Sequence, residues 1–244
     1  MAYRRIVNRI NISELESTQD WAKAHYREFA SNRWTAISAD SQQAGRGQFD
    51  ASWQDVPGAA LLVTWVSPDV SWPANTLWAR QMSVSIAWAR ALRATGRDVL
   101  IKWPNDLMLG DRKLAGMLTE AMWRGNSCHR YFVGIGMNVS DAPPNAAFLG
   151  ADERVSDWIE RLLVPTAEAI MRPLPQDQLS DYTELLMGWK QWVAWEDPVN
   201  HEHIIAKPVE IDREGRLCVE LENGTRHWLR PRTWIWKGLV ERDK

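Results

Sequence analysis

Cysteine is nearly missing from this chain. Cys128 and Cys218 are the only two, 90 residues apart and outside any CxxC or Cys/His cluster, which excludes a disulfide framework and a structural zinc site. Long apolar runs are missing as well. Met1 to Ile12 alternates charge with Ile and Val, which fits neither a secretory signal nor a membrane span. Without a secretory signal, the Asn-x-Ser/Thr matches at Asn11, Asn138 and Asn223 are not glycosylation sites. Excess charge is absent too: 29 Lys and Arg stand against 31 Asp and Glu, a formal net charge of -2. That argues against holding nucleic acid by bulk electrostatics. The expectation is a cytoplasmic protein with no membrane and no DNA partner. Phe and Tyr are scarce, four each, beside 16 Trp. Trp78 and Trp88 fall in a helical pattern and Trp234 and Trp236 in a strand pattern, so most are expected in or at the edge of a core rather than stacking on sugars or bases.

What is present is ordinary globular composition, 45% apolar and 25% charged over 244 residues, enough for one large domain with a smaller one attached. Arg4 to Ile12 reads as a strand, and Ser17-Thr18-Gln19-Asp20 as a helix start running to about Phe29. Thr35 to Ala39 and Ala60 to Val66 read as strands flanking a polar loop, Asp40 to Asp55. Trp78, Met82, Ile86 and Ala89 mark one face of a helix over 76–95 that Gly96 stops. Val99 to Trp103 and Leu107 to Leu109 read as strands, and Gly110-Asp111 as a tight turn returning at Lys113. Arg130 to Val139 is a further strand in which Gly134 and Gly136 permit close approach of a backbone or ligand. Asp152 to Ala169 and Gln178 to Trp195 read as helices, with Pro165, Pro173 and Pro175 punctuating the region between them. After Pro198 come short alternating segments, 204–211, 217–221, 226–229 and 233–236, with Asn223-Gly224 as a hairpin signal; this spacing suggests a compact SH3-like barrel.

Gln42-Gln43-Ala44-Gly45-Arg46-Gly47 sets an arginine between two glycines in a loop, so bare backbone and a forked cation can both meet an anion. It gains meaning from Lys102-Trp103-Pro104-Asn105-Asp106, from Lys113-Leu114-Ala115-Gly116, and from Gly134-Ile135-Gly136-Met137-Asn138. Taken alone, Asn105-Asp106 would be a turn after Pro104 and Ser17 a helix cap. His201 and His203 have a metal-like spacing but no evident third ligand, and read as a solvated strand pair.

Over residues 3 to 240 this combination resembles biotin-protein ligase, in a short form without the DNA-binding helix-turn-helix that some members carry; with only about 15 residues before Ser17, no repressor role is expected. The resemblance implies an α+β fold: a mixed-sheet, class II synthetase-like biotin/lipoate ligase catalytic domain over 1–188 and an SH3-like β-barrel over 189–244. It implies ATP and biotin as substrates, with magnesium. Biotin is adenylated and then passed to a lysine of a biotin carboxyl carrier protein or domain; homodimers occur in the family as well as monomers. Arg46 and Lys113 would neutralise the meeting of a carboxylate with a triphosphate, and Asp106 would orient or deprotonate the incoming amine, neutral only about once in 2500 molecules at pH 7. Ser17, Thr18, Gln19, Gln42, Gly45, Arg46, Lys113, Gly116, Leu118 and Gly136 would bind biotin. Arg46, Gln48, Trp53, Lys102, Asn105, Asp106 and Asn138 would bind nucleotide, with Asn105 and Asp106 holding magnesium.

Two departures from the family pattern stand out. Gln48 occupies a position that is often a second Arg, and Phe49-Asp50-Ala51-Ser52 replaces a basic, Gly-rich stretch, so leakage of the activated intermediate is expected. No aromatic after Asn138 is assigned to stack on adenine, Phe148 being the nearest. Two alternatives remain at this stage: a lipoate-protein ligase, and a non-enzymatic adaptor that senses biotin.

Overall fold

The computed structural model describes residues 7–48 and 51–240. The first three residues of the strand expected from Arg4, and Phe49 and Asp50 of the polar loop, lie outside them. Strand β1 (Val7–Leu15) leads into helix α1 (Thr18–His25), whose N-cap Ser17 accepts a hydrogen bond from the Asp20 amide, satisfying one of the orphan donors of the first turn. Strands β2 (Trp34–Gln42) and β3 (Ala60–Val66) flank the polar loop as expected. The short β4 (Trp72–Pro73) precedes helix α2 (Leu77–Arg93), which buries Ala79, Met82, Ile86 and Ala89 and ends before Gly96 in the left-handed region, φ +85.

Strands β5 (Val99–Lys102), β6 (Asp106–Leu109) and β7 (Arg112–Arg124) then form a meander, β6 turning into β7 at Gly110, and β8 (Ser127–Asn138) returns alongside β7. Together they make a mixed sheet in the order β1-β2-β3-β8-β7-β6-β5, with β4 also paired to β8; β1 and β2 are parallel and the other pairs antiparallel.

Side chains alternate across a sheet, and here the alternation decides where a site can form. Leu61, Val63, Trp65, Ala115, Met117, Val133 and Ile135 join one core with α2 and helix α3 (Val155–Met171). Trp65 and Trp88 meet edge to face, and the Trp88 indole donates to Thr166 at 2.8 Å. The intervening positions on the strands, Thr64, Gly116, Leu118, Gly134 and Gly136, therefore face the other way, toward α1. Six of the sixteen tryptophans are buried and two, Trp123 and Trp228, are exposed, in keeping with a structural use for most of them.

Two helix expectations need correction. Pro165 lies inside α3 rather than between helices; the packing of that helix's apolar face outweighs the hydrogen bond that proline removes. Gln178 to Trp195 is not one helix. It holds only α4 (Ser180–Thr183), turns, and strand β9 (Val193–Glu196). The Ile101 amide donates to the Leu185 carbonyl and the Met187 amide to that of Ile101, so tertiary pairing to the exposed edge of β5 overrides helical propensity.

Strands β10 (His203–Ile211), β11 (Leu217–Leu221), β12 (Arg226–Leu229) and β13 (Ile235–Leu239) complete a second, antiparallel sheet in the order β12-β11-β10-β9-β13. Asn223-Gly224 makes the expected hairpin turn, with Gly224 at φ +78. The sheet is consistent with an SH3-like barrel, although among the described residues its pairing does not close β13 onto β12. It docks on the first sheet through the Trp103 indole, which donates to the Gly215 carbonyl at 2.9 Å, and through Arg232, which donates to the Thr119 carbonyl at 3.1 Å.

Candidate active site

The pocket lies on the α1 side of the large sheet. Its floor is glycine because there is no room for anything larger: a Cβ on Gly134 would stand 2.6 Å from Gln19 Oε1, and one on Gly136 2.4 Å from the Trp53 ring. Thr64, fully buried, sets its hydroxyl 3.0 Å from the Thr18 hydroxyl and 3.1 Å from Gln19 Oε1. Gln42 Oε1 accepts from the Thr18 amide at 2.7 Å and from its hydroxyl at 3.0 Å. One end of the pocket is thus a neutral hydrogen-bonding network, all three residues of Ser17-Thr18-Gln19 being buried.

The other end carries charge, each of its cations paired with a carboxylate. Residues 44–48 and 51–53 form a strap at the pocket, held by bonds from the Gly47 amide to the Ala51 carbonyl and from the Trp53 amide to the Gly45 carbonyl. A Cβ on Gly45 would meet the Trp53 carbonyl at 2.8 Å, so that glycine shapes the strap rather than lining the pocket. Arg46 reaches from the strap to Asp20 at 2.7 Å and Glu120 at 2.9 Å, while Lys23 holds Glu120 at 2.7 Å. Burial pushes the Glu120 carboxyl up, but hydrogen bonds from Lys23 and Gln19 and the charge of Arg46 outweigh it and leave it below the usual carboxylate range. Lys113 Nζ lies 2.8 Å from Asp106 and 5.6 Å from the Trp53 ring centre.

The expected residues come together unequally. Ser17, Thr18, Gln19, Gln42, Arg46 and Gln48 line a cavity of about 50 Å³ with Trp53, Asn105, Lys113, Gly116, Leu118 and Gly136. Gly47, Met117, Gly134 and Ile135 line it too; of these, the Gly-x-Gly spacing on β8 had already drawn attention to Gly134. Asp106 stands behind Lys113, and Lys102 opposite Asp106 on the neighbouring strand. Burial lowers the Lys102 pKa, Asp106 opposes that, and Lys113 and Lys237 push it further down. Asn138 is buried and donates to the Ala147 carbonyl at 2.9 Å, yet with Trp53, Lys113 and Pro143 to Ala146 it borders a second cavity of about 220 Å³. Phe148 is 38% exposed. Both carboxamide atoms of Gln48 and the Trp53 indole nitrogen are buried with no hydrogen-bond partner among the described residues. Native interiors rarely leave such atoms unpaired. Asp20 and Glu120 escaped sequence reasoning; Glu120 was readable in principle as the next pocket-facing position after Gly116 and Leu118 on β7.

Residues 12–138, more than half of the chain, match the model of the biotin/lipoate A/B protein ligase family. The chain belongs to that family. The bifunctional ligase/repressor BirA of Escherichia coli is 26% identical over 212 residues, 80% of this chain, and the chain spans only 64% of that relative's length. A biotin--[acetyl-CoA-carboxylase] ligase of Mycobacterium tuberculosis is 27% identical over 78% of this chain and 74% of its own. Among solved structures, biotin protein ligase from Aquifex aeolicus in complex with biotin and ATP superposes with a TM-score of 0.70 at 20% identity, covering 94% of this chain and 98% of that one. This family member therefore shares the whole ligase fold, second sheet included.

Proposed function

We propose that the protein is an ATP-dependent ligase that adenylates biotin and transfers it to a lysine of a biotin carrier domain, of acetyl-CoA carboxylase or a related carboxylase. The observation that carries this reading is the polarity of the pocket: neutral donors and acceptors at one end, Arg46 and Lys113 at the other. An uncharged ureido ring suits the first end. A carboxylate suits the second, and its repulsion from a triphosphate is what fixed cations relieve. The unpaired Gln48 carboxamide and Trp53 indole suit a ligand with polar atoms along its length. These groups favour biotin over a dithiolane acid, which offers no ureido donors.

In the first step a biotin carboxylate oxygen attacks the α-phosphorus of ATP and pyrophosphate leaves. In the second, a carrier lysine amine attacks the acyl carbon, with AMP and a proton as the other products; Asp106, paired with Lys113 at 2.8 Å, is the base we assign. Asn105 spends its Nδ2 on the Met117 carbonyl, which leaves its oxygen and the Asp106 carboxylate as ligands for magnesium. Among the described residues no group of three His, Cys, Asp or Glu converges for a metal; magnesium with few protein ligands, completed by phosphates and water, fits that donor set and would screen the triphosphate. The second cavity beside Asn138 is where we place the nucleoside.

We divide the chain into a catalytic unit over 1–188 and a small C-terminal unit over 189–244, and place the protein in the cytoplasm. No helix among the described residues is long and apolar enough to cross a membrane. Incubation with MgATP, labelled biotin and a biotin carrier domain tests the reading. Label on the carrier lysine is expected, and biotin-dependent, lipoate-independent exchange of pyrophosphate into ATP; lipoate-dependent exchange instead would overturn the substrate assignment.

A further inference from the structure

Arg46 lines the pocket from the strap, and three residues of two other elements gather around it. Asp20 comes from the first turn of α1, Glu120 from the pocket face of β7, and Lys23 from one turn further along α1, holding the other Glu120 oxygen. Both carboxylates take the same guanidinium nitrogen, Nη2. Among the described residues, Nε and Nη1 make no hydrogen bond or ion pair. A guanidinium presents its N–H groups as rigid forks matched to carboxylate and phosphate, and here it is gripped so that the Nε–H and an Nη1–H stay available.

The side chains are 40%, 50% and 24% exposed for Arg46, Asp20 and Glu120, so neither pair contributes much to stability by itself. Their value lies in geometry. A flexible arginine on a surface strap would sample many rotamers, and bringing it to the reacting anions would cost entropy at each turnover.

We infer that Glu120 and Asp20 are positioning residues for the proposed adenylation: by holding Nη2 they set the free edge of Arg46 over the pocket mouth, where the substrate carboxylate meets the α-phosphate. The inference rests on the ligase reading above and adds two residues to it.

The test is biotin-dependent pyrophosphate exchange by the full chain carrying Glu120→Gln, Asp20→Asn, Arg46→Ala, and Glu120→Gln combined with Arg46→Ala, each checked for folding by thermal melting. Glu120→Gln is expected to lower kcat for exchange about tenfold with the KM for biotin changed less than about twofold, because orientation rather than binding is lost. Asp20→Asn should lower it about threefold, and Glu120→Asp, which keeps the charge, should stay within about threefold of the wild type. With Arg46 already removed, Glu120→Gln should change the rate by less than about twofold, since groups acting through one another are not additive. A full tenfold further loss in the Arg46→Ala background would assign Glu120 a merely structural role and overturn the inference. So would wild-type exchange by Glu120→Gln. Absence of exchange by the wild type would instead remove the ligase reading on which all of this stands.

Discussion

Lys113 sits where two demands meet. Its ammonium is paired with Asp106 at 2.8 Å and lies 5.6 Å from the Trp53 ring centre, so a half-exposed charge is held at the pocket wall. Lys113→Ala removes a fixed cation from the place where the proposed reaction accumulates negative charge, and a loss of about 100- to 1000-fold in biotin-dependent pyrophosphate exchange is expected. The floor offers a different test. Gly136→Ala puts a methyl group 2.4 Å from the Trp53 ring, a distance that displaces the ring, so calorimetry should find biotin binding weakened at least about tenfold. Replacing Trp53 by Ala in the same chain should restore part of it. Gly134→Ala puts its methyl 2.6 Å from Gln19 Oε1, in the network with Thr64, and should weaken biotin binding as well.

At the scale of elements, what the sequence disclosed and what it hid follow a physical line. Helix α2 was legible because Met82, Ile86 and Ala89 recur at helical spacing and all are buried; the hairpin at Asn223-Gly224 was legible because turn chemistry is local. Strand β9 was not, because what straightens the chain before it is the pairing of Leu185 and Met187 with Ile101, more than 80 residues earlier. The site divides along the same line. Arg46, Lys113 and the two glycines of β8 belong to short spacings, whereas Asp20 and Glu120 are 100 residues apart and meet only at Arg46. The join between α2 and α3 can be probed through Trp88, which contacts Trp65 and donates to Thr166. Trp88→Ala should destabilise the fold by about 3 to 5 kcal/mol, read from urea denaturation.

For the whole molecule, one apolar core runs from α2 and α3 through Trp103 to Trp195, Ala206, Val219 and Leu229 of the second sheet. Unfolding is therefore expected as a single transition, with far-ultraviolet and near-ultraviolet circular dichroism superimposing; two separated transitions would show the sheets to be energetically independent. Acid should loosen the hold of Glu120 on Arg46 and Lys23. The Glu120 carboxyl is held below its ordinary value of 4.5, so its stabilising contribution is complete above that pH and is lost as pH falls through the lower folded value. With its partners partly exposed that contribution is small, so Glu120→Gln should flatten the acid limb of melting temperature against pH only slightly.

Strand β8 lies between β3 and β7 in the sheet, yet it follows both in the chain. A ribosome that has released α1, the strap and β7 has made every wall of the pocket and no floor. Closing the sheet then waits on a long-range pairing of the kind that folds slowly, and until Asn138 has emerged and β8 has slid into place, the nascent chain holds Arg46 and Lys113 beside a pocket that is still open underneath.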